Sequence, residues 1–274
     1  MARTKEGIPY HPSEYDPDWP RVRCVKCGYM NSCNCDERKV PRYPRLPILL
    51  MGGMVESITH PDGFEIKISK VTEHALQSIQ DSELKVYPSK HIMLDNIIEP
   101  TLLSNIQKHW PSQDEMSTGE PPGRYQFHDF KNHKYLNELY TDVINNIHVK
   151  CALVDKLFEK VELGTPGVSL WEDTKSFTVN DVHIDFNDFY ITLGIFLPDD
   201  ESTIDYGTEY WDPHKYSEDW EEGFRKENCD FIFRAPFKLN TGYAMLSDMT
   251  SYHSSPDIEE DIVRKHMYIS YPKI

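Results

Sequence analysis

Residues 181–198 read DVHIDFNDFYITLGIFLP, a short polar segment followed by an almost unbroken apolar run. The apolar run predicts a buried β-strand, and Gly194 within it leaves room for a close backbone or ligand. His183 and Asp185 are two residues apart in the polar segment, and side chains on a strand alternate between its two faces. Both side chains therefore point in the same direction, where an imidazole and a carboxylate suit a divalent metal ion of intermediate softness.

The remaining members of the predicted site come from further along the chain. His253, in the segment MTSYHSSP, starts another predicted strand and is the candidate third ligand. Two histidines and one carboxylate, with the other coordination positions open, are the signature of non-haem Fe(II) oxygenases. Arg264 heads the β-rich segment RKHMYISY, and a guanidinium is permanently charged and binds a carboxylate through two hydrogen bonds. An arginine that points into the metal cavity would anchor the far end of a dicarboxylic cosubstrate.

The HID motif, the strand YITLGIFLP, the segment GYAMLSDMTSYHS and the arginine after the distal histidine together resemble the 2-oxoglutarate-dependent Fe(II) oxygenases. The resemblance implies a mainly β protein with flanking helices, whose core is a double-stranded β-helix of the jelly-roll or cupin-like type. It implies Fe(II) held by His183, Asp185 and His253, and 2-oxoglutarate held through its distal carboxylate by Arg264. It also implies hydroxylation of a C–H bond, with succinate and CO2 as co-products and ascorbate as the reductant in vitro.

Two further residues are candidates for binding the cosubstrate. Tyr268 shares one face of the last predicted strand with Arg264 and His266, so its hydroxyl could donate to the carboxylate that Arg264 holds. Thr192 is the second candidate, on the facing strand. In some members of the resembled family a tyrosine near the position of Phe196 helps to bind the cosubstrate, and Phe196 has no hydroxyl for that contact.

Four of the six cysteines lie close together near the start of the chain: Cys24, Cys27, Cys33 and Cys35. A C-x-x-C turn followed by glycine lets two thiolates bind one tetrahedral metal ion, and the C-x-C pair supplies the other two ligands. In a reducing compartment a structural zinc is favoured over two disulfides. Free or redox-active cysteines are the alternative interpretation.

The length of 274 residues suits one large domain with a small appendage. We expect an N-terminal arm over residues 1–45, which carries the cysteine cluster, and a single oxygenase domain over 46–274. Within that domain we expect helical support over about 90–165 and the β-helix core over about 167–274.

Local patterns add four expectations. Residues 64–71 alternate as a strand does, 73–80 predict a short helix, and 135–161 predict an amphipathic helix or helix pair. The insert 212–230 is charged and aromatic. It is either a lid at the mouth of the active site or a solvated excursion.

The formal charge of −16 argues against nucleic-acid backbones and anionic membrane surfaces as partners. No segment approaches the ~20 apolar residues of a membrane span, and the start of the chain lacks the apolar core of a secretory signal. We therefore expect a cytoplasmic protein without a membrane partner. Its oligomeric state is left open by the sequence.

Three other functions agree with parts of the same pattern. A metal-binding β-barrel without turnover would keep both histidines, and a cupin-like enzyme that uses no 2-oxoglutarate would gain nothing from Arg264. A protein-interaction module would use the cysteine cluster and keep the barrel as a scaffold. For an oxygenase, a small metabolite, a protein side chain and a modified sugar all stay open as substrates.

Overall fold

A computed structural model of the chain describes most residues beyond the first quarter of the sequence. The described residues are 58–59, 65–66, 68–119, 122–157, 159, 161–175, 177, 181–185, 189–214, 224–258 and 262–274. The predicted zinc cluster, the arm over 1–45 and the central part of the 212–230 insert lie outside these ranges.

Within the described residues, antiparallel strands predominate over helices. The strands are β1 (Ile58–Thr59), β2 (Glu65–Ile66), β3 (Leu84–Lys85), β4 (His91–Asp95), β5 (Ser117–Thr118), β6 (Arg124–Phe127), β7 (Gly167–Asp173), β8 (Asp181–Val182), β9 (Ile191–Phe196), β10 (Glu209–Pro213), β11 (Phe224–Arg225), β12 (Cys229–Arg234), β13 (Thr241–Leu246), β14 (His253–Ser254) and β15 (Arg264–Tyr271). The helices are α1 (Lys70–Asp81), α2 (Pro100–Lys108), α3 (Lys134–Leu139) and α4 (Ile147–Lys156). None of these helices combines the length and apolar character that a membrane crossing requires.

The described strands form an eight-stranded main sheet, a three-stranded second sheet and two small sheets, β1-β2 and β8-β11. The main sheet has the order β3-β4-β13-β9-β15-β7-β6-β5, and every neighbouring pair in it is antiparallel. The second sheet has the order β12-β10-β14, and a bridge between His183 and His253 joins β14 to the chain just after β8. In the space between the sheets, Phe196 and Tyr243 of the main sheet pack in one apolar cluster with Tyr210 of the second sheet.

One face of the main sheet packs against the helices, and the other faces the second sheet. On β9, Ile191, Leu193 and Ile195 are buried against the helices, as are Met267 and Ile269 on β15. Burying each such side chain stabilises the fold by about 1.5–3 kcal/mol, so this outer face anchors the sheet. Because side chains alternate along a strand, the residues between them face the second sheet and line the interior.

Two local predictions hold and one is wrong in part. The predicted helix 73–80 lies within α1, and the segment 135–161 contains the pair α3 and α4, which a π-helical turn (Tyr140–Ile144) links to each other. The predicted strand 64–71 is too long, since β2 covers only Glu65–Ile66 and α1 begins at Lys70. The reason is local: the Ser69 hydroxyl accepts a hydrogen bond from the Thr72 amide, and this N-cap starts the helix.

The loop between β4 and α2 is fixed by Asn240, which precedes β13. The Asn240 backbone is left-handed, with φ of 61°. Its side-chain amide accepts from Ile98 N at 2.8 Å and donates to Ile98 O at 2.8 Å. Asparagine tolerates this backbone conformation better than most residues, so one side chain both makes the turn and ties it to the start of α2.

Candidate metal centre and anion pocket

The three predicted metal ligands converge at one end of the space between the sheets. His183, Asp185 and His253 each offer one ligand atom, and these atoms all lie within 4.8 Å of one another. Asp185 Oδ1 is 3.8 Å from His183 Nε2, and Asp185 Oδ2 is 3.5 Å from His253 Nε2. The His183 side chain is 42% exposed and that of His253 only 7%, so His183 marks the open side of the site.

Backbone hydrogen bonds hold the two histidines side by side. The amide of each donates to the carbonyl of the other at 2.9 Å. Each ring is also oriented through Nδ1, which contacts the carbonyl two residues earlier: Asp181 O at 3.3 Å for His183 and Ser251 O at 2.8 Å for His253. This leaves both Nε2 atoms directed at Asp185, which is how protein scaffolds commonly orient metal-binding imidazoles.

Thr192 and Tyr268, the two predicted cosubstrate contacts, both reach Asp185. Thr192 Oγ1 and Tyr268 Oη each donate to Asp185 Oδ2 at 3.0 Å. Ser247 Oγ lies 3.0 Å from the Thr192 hydroxyl and extends this network. The two hydroxyls therefore fix the carboxylate in place, and a direct role in cosubstrate binding stays a prediction for both.

The charges of the three groups favour a cation between them. Burial works against ionisation of Asp185, but the adjacent His253 and His183 and the Tyr268 hydroxyl together hold its pKa well below the ordinary value. Burial also disfavours a charged His253, yet the Asp185 carboxylate outweighs it and raises the pKa of His253. A divalent ion would replace the protons that the site attracts in this way. Two nitrogen donors and one oxygen donor, all preoriented, fit Fe(II).

Behind His253, the second sheet holds a buried carboxylate in a polar network. The Ser254 hydroxyl donates to Glu209 Oε2 at 2.7 Å, and Lys226 and Arg234 pair with the same carboxylate at 2.9 and 2.6 Å. Burial alone would raise the pKa of Glu209, but the hydrogen bonds from Lys226, Arg234 and Ser254 together outweigh it. The pKa of Glu209 is therefore below its ordinary value. The network fixes the strand that carries the distal histidine.

Arg264 lies in the interior of the main sheet and is 1% exposed. Its Nη1 donates to Asp173 Oδ2 at 3.0 Å and to Ser255 Oγ at 3.1 Å. Asp173 also accepts two hydrogen bonds from Arg124, at 2.6 and 3.0 Å. The Arg124 guanidinium is stacked 3.6 Å above the Trp171 ring, which keeps it against Asp173.

This cluster carries more positive than negative charge. Two guanidiniums share the single carboxylate of Asp173, which is fully buried. Arg264 Nε is buried and has no hydrogen-bond partner among the described residues. A buried donor without an acceptor and an uncompensated cation are both costly, so the cluster suits an anionic ligand such as a carboxylate.

Tyr243 connects the anion pocket to the metal centre. Burial raises the pKa of its phenol to about 12; the charge of Asp185 adds to the rise, whereas Arg264 opposes it. Its ring occupies the space that Gly194 leaves, since a Cβ there would lie 2.4 Å from Tyr243 Cε1. Arg264 shares the inner face of β15 with Tyr268, whose hydroxyl contacts Asp185, so both groups lie on the same side of the main sheet. Gly194 leaves room for the Tyr243 ring, a side chain of the protein itself.

The sequence did not reveal Arg124, Trp171 or Asp173 as site residues. Trp171 and Asp173 lie on the same face of β7, and the sequence placed them only within the expected β-helix core over about 167–274. The pairing of Asp173 with Arg264 depends on the register between β7 and β15. The one signal in the sequence was a carboxylate on the same strand face as an aromatic residue, and alone it is too common to indicate a site.

No model of a known protein family and no curated protein sequence matches the chain. Among solved structures, a prolyl 4-hydroxylase from Phytophthora capsici is similar, with a TM-score of 0.52 and 13% identity, over 78% of this chain and 69% of that one. The carbocyclase SnoK from nogalamycin biosynthesis has a TM-score of 0.47 and 11% identity, over 75% and 84% of the two chains. A 2-oxoglutarate–Fe(II) oxygenase from Burkholderia pseudomallei has a TM-score of 0.45 and 11% identity, over 76% and 93%.

At these identities the likeness concerns the fold, and the Phytophthora structure is the one of the three with a TM-score above one half. The predicted fold class, a mainly β protein with flanking helices, is confirmed by the two antiparallel sheets and by this likeness. The chain therefore has the double-stranded β-helix fold of the 2-oxoglutarate-dependent Fe(II) oxygenases, the superfamily that its motifs resemble.

Proposed function

We propose that the protein is an Fe(II)- and 2-oxoglutarate-dependent dioxygenase that hydroxylates its substrate and releases succinate and CO2. The observation that carries this proposal is the convergence of His183, Asp185 and His253, together with the buried, incompletely paired Arg264 on the same face of β15 as Tyr268, which contacts Asp185. When bound, the iron and 2-oxoglutarate would supply the oxidising chemistry, as cofactors generally do. The protein supplies the ligands and their orientation.

In this function, each residue of the metal centre has a defined task. His183 and His253 would hold the iron through Nε2, because their Nδ1 atoms are held by backbone carbonyls. Asp185 would hold it through its carboxylate, which Thr192 and Tyr268 keep oriented. A set of three protein ligands is the one that non-haem Fe(II) oxygenases use.

Arg264 would bind the distal carboxylate of 2-oxoglutarate. The carboxylate would bring the missing negative charge to the cluster of Arg124, Asp173 and Arg264. Phe196 and Phe237, whose ring centroids are 4.7 Å apart, form an apolar wall beside this pocket. An apolar wall excludes water and so strengthens the ion pair between Arg264 and the carboxylate.

The test uses purified protein with Fe(II), 2-oxoglutarate and ascorbate, and it measures succinate and CO2 released without added substrate. Wild type should turn over 2-oxoglutarate slowly, and His183→Ala should lose this turnover. Arg264→Ala should raise the KM for 2-oxoglutarate. The matched control is His128→Ala, which changes an exposed histidine outside the site.

Equal turnover by wild type and His183→Ala would refute the proposal. Iron binding without succinate release would favour a non-catalytic metal-binding barrel, and oxygenase activity that ignores 2-oxoglutarate and Arg264 would favour a cupin-like enzyme. A screen of small metabolites and peptides by succinate release would then identify the substrate. The structural zinc is a separate prediction, which metal analysis tests by looking for about one zinc per chain.

A further inference from the structure

Trp171, on the same face of β7 as Asp173, contacts side chains from both neighbouring strands. β6 flanks β7 on one side and β15 flanks it on the other. The Arg124 guanidinium of β6 lies 3.6 Å from the centroid of the indole ring. From β15, Tyr268 stacks on the same indole, with centroids 4.7 Å apart and an angle of 7° between the planes. Because both groups lie face-on, they cover opposite faces of the indole.

The groups on the two faces of the indole are themselves held in place. Arg124 donates two hydrogen bonds to Asp173, at 2.6 and 3.0 Å, and its guanidinium also lies 4.2 Å from the ring of the fully buried Phe177. On the other side, Tyr268 Oη donates to Asp185 Oδ2 at 3.0 Å. Contacts therefore run without a break from the buried carboxylate of Asp173 to the carboxylate of the candidate metal centre.

The orientation of the Tyr268 ring depends on Trp171. The residue directly opposite Tyr268 on β7 is Ser169, whose side chain is too small to cover a phenol ring. Trp171 is the diagonal neighbour, at a separation that large aromatic side chains can bridge. Phe189 meets the Tyr268 ring edge-on, with centroids 6.5 Å apart, whereas Trp171 is parallel to it. Loss of the indole would therefore free the phenol ring, and with it the direction of the hydroxyl.

The choice of tryptophan agrees with contacts through the two ring faces. Trp171 Nε1 is buried and has no hydrogen-bond partner among the described residues. A buried donor without an acceptor is costly, and a phenylalanine would avoid that cost. Indole, however, is the best aromatic partner for a guanidinium. The residue is thus explained by what it holds on its two faces, Arg124 and Tyr268, and not by its N–H group.

We propose that Trp171 is a positioning residue for the metal centre: it holds the Tyr268 ring, and the Tyr268 hydroxyl in turn orients the Asp185 carboxylate. Arg124 supports the indole from its other face, so the anion pocket and the metal centre share one stack of side chains. This inference rests on the metal centre of the proposed function and deepens it. Trp171 acts through Tyr268, so its effect on metal binding should disappear when the Tyr268 hydroxyl is absent.

The test is calorimetric titration of the metal-free protein with Mn(II), which requires no turnover. Trp171→Leu should raise the Kd for Mn(II) about two- to tenfold, the range that the loss of an aromatic stack gives. Trp171→Phe, which keeps a ring against Tyr268, should recover much of the affinity. In the Tyr268→Phe background, Trp171→Leu should cause no further rise of the Kd, because the hydroxyl through which it acts is already gone.

The matched control is Trp110→Leu, the same substitution at a tryptophan that contacts β7 from its other face. Trp110 Nε1 donates to Glu172 at 2.6 Å, and its loss should leave the Kd for Mn(II) unchanged. An unchanged Kd in Trp171→Leu would overturn the proposal. An equal rise of the Kd in the wild-type and Tyr268→Phe backgrounds would also overturn it, because it would indicate a general disturbance of the fold.

A second measurement uses no destabilised variant. In wild-type protein labelled with 5-fluorotryptophan, the 19F signal of Trp171, assigned with Trp171→Phe, should shift on addition of Zn(II). The shift should be lost in Tyr268→Phe. No shift in the wild type would refute the link between the indole and the metal centre. Wild-type protein that binds neither Mn(II) nor Zn(II) would instead refute the metal centre itself, whereas metal binding that ignores Trp171 would refute this inference alone.

Discussion

Replacing Asp173 by asparagine tests the charge arrangement on which the anion pocket depends. The side chain is fully buried and accepts hydrogen bonds from Arg124 at 2.6 and 3.0 Å and from Arg264 at 3.0 Å. Asparagine has nearly the same shape, but it carries no charge and offers two N–H groups of its own. Asp173→Asn would therefore leave two buried guanidiniums without the carboxylate that compensates them.

The expected loss of stability is large. Removing one partner of a buried ion pair costs about 3–5 kcal/mol, because the remaining charge stays in a medium that solvates it poorly. For a chain of this size, each kcal/mol lowers the Tm by roughly 2–4 °C, so the Tm of Asp173→Asn should fall by about 6 to 20 °C. The free energy of unfolding by urea and the Tm are the quantities to measure.

Asp199→Asn is the matched control. Asp199 pairs with Lys265 at 2.8 Å, but its side chain is 67% exposed, so its loss should change the free energy of unfolding by less than about 1 kcal/mol. Arg124→Met should be less destabilising in the Asp173→Asn background than in the wild type, because the ion pair is then already absent. If Asp173→Asn is as stable as Asp199→Asn, the charge argument for the pocket is wrong.

Three further changes test other parts of the site. Gly194→Ala would place a Cβ 2.4 Å from Tyr243 Cε1. This overpacking should lower the free energy of unfolding in urea by about 1–3 kcal/mol. An unchanged free energy of unfolding would show that the Tyr243 ring can move away without cost. Tyr268→Phe removes one of the two hydroxyls that orient Asp185, and it should weaken metal binding about tenfold by calorimetric titration with Mn(II), whereas unchanged affinity would contradict the orienting role. The pKa of Glu209 in the folded protein is below the ordinary 4.5, so its ion pairs stabilise the fold above pH 4.5 and are lost as the pH falls through the lowered pKa. The difference in unfolding free energy between wild type and Glu209→Gln should therefore shrink as the pH falls from about 6 to 3, and a constant difference would be the contrary result.

The sequence predicts features that depend on spacing along one strand. His183 and Asp185 share a face because alternation is a property of any β-strand, and the structure brings His253 to them. Tyr268 and Arg264 were likewise placed on one face. The contacts of each side chain depend on distances between strands, which the sequence does not give. Tyr268, for which a contact with the cosubstrate was predicted, donates to the carboxylate of Asp185.

The residues that the sequence did not reveal are those whose partners are set by strand register. Asp173 is opposite Arg264 because β7 and β15 pair in one register, and a shift by a single residue would turn Asp173 to the other face. Arg124 enters the cluster from β6, far outside the resembled region. No local pattern encodes such pairings, since they are decided by the packing of the whole sheet against its helices.

The mutual backbone hydrogen bonds of His183 and His253 have a consequence for folding. The two residues are far apart in the sequence and become neighbours only when the chain between them has folded. The unfolded chain therefore has no preformed metal site. A metal ion that binds both imidazoles therefore binds the folded state and not the unfolded state, and it shifts the folding equilibrium toward the folded state. Added metal should raise the Tm of the whole domain. In a partly denatured sample, titration with metal should increase the fraction of folded protein.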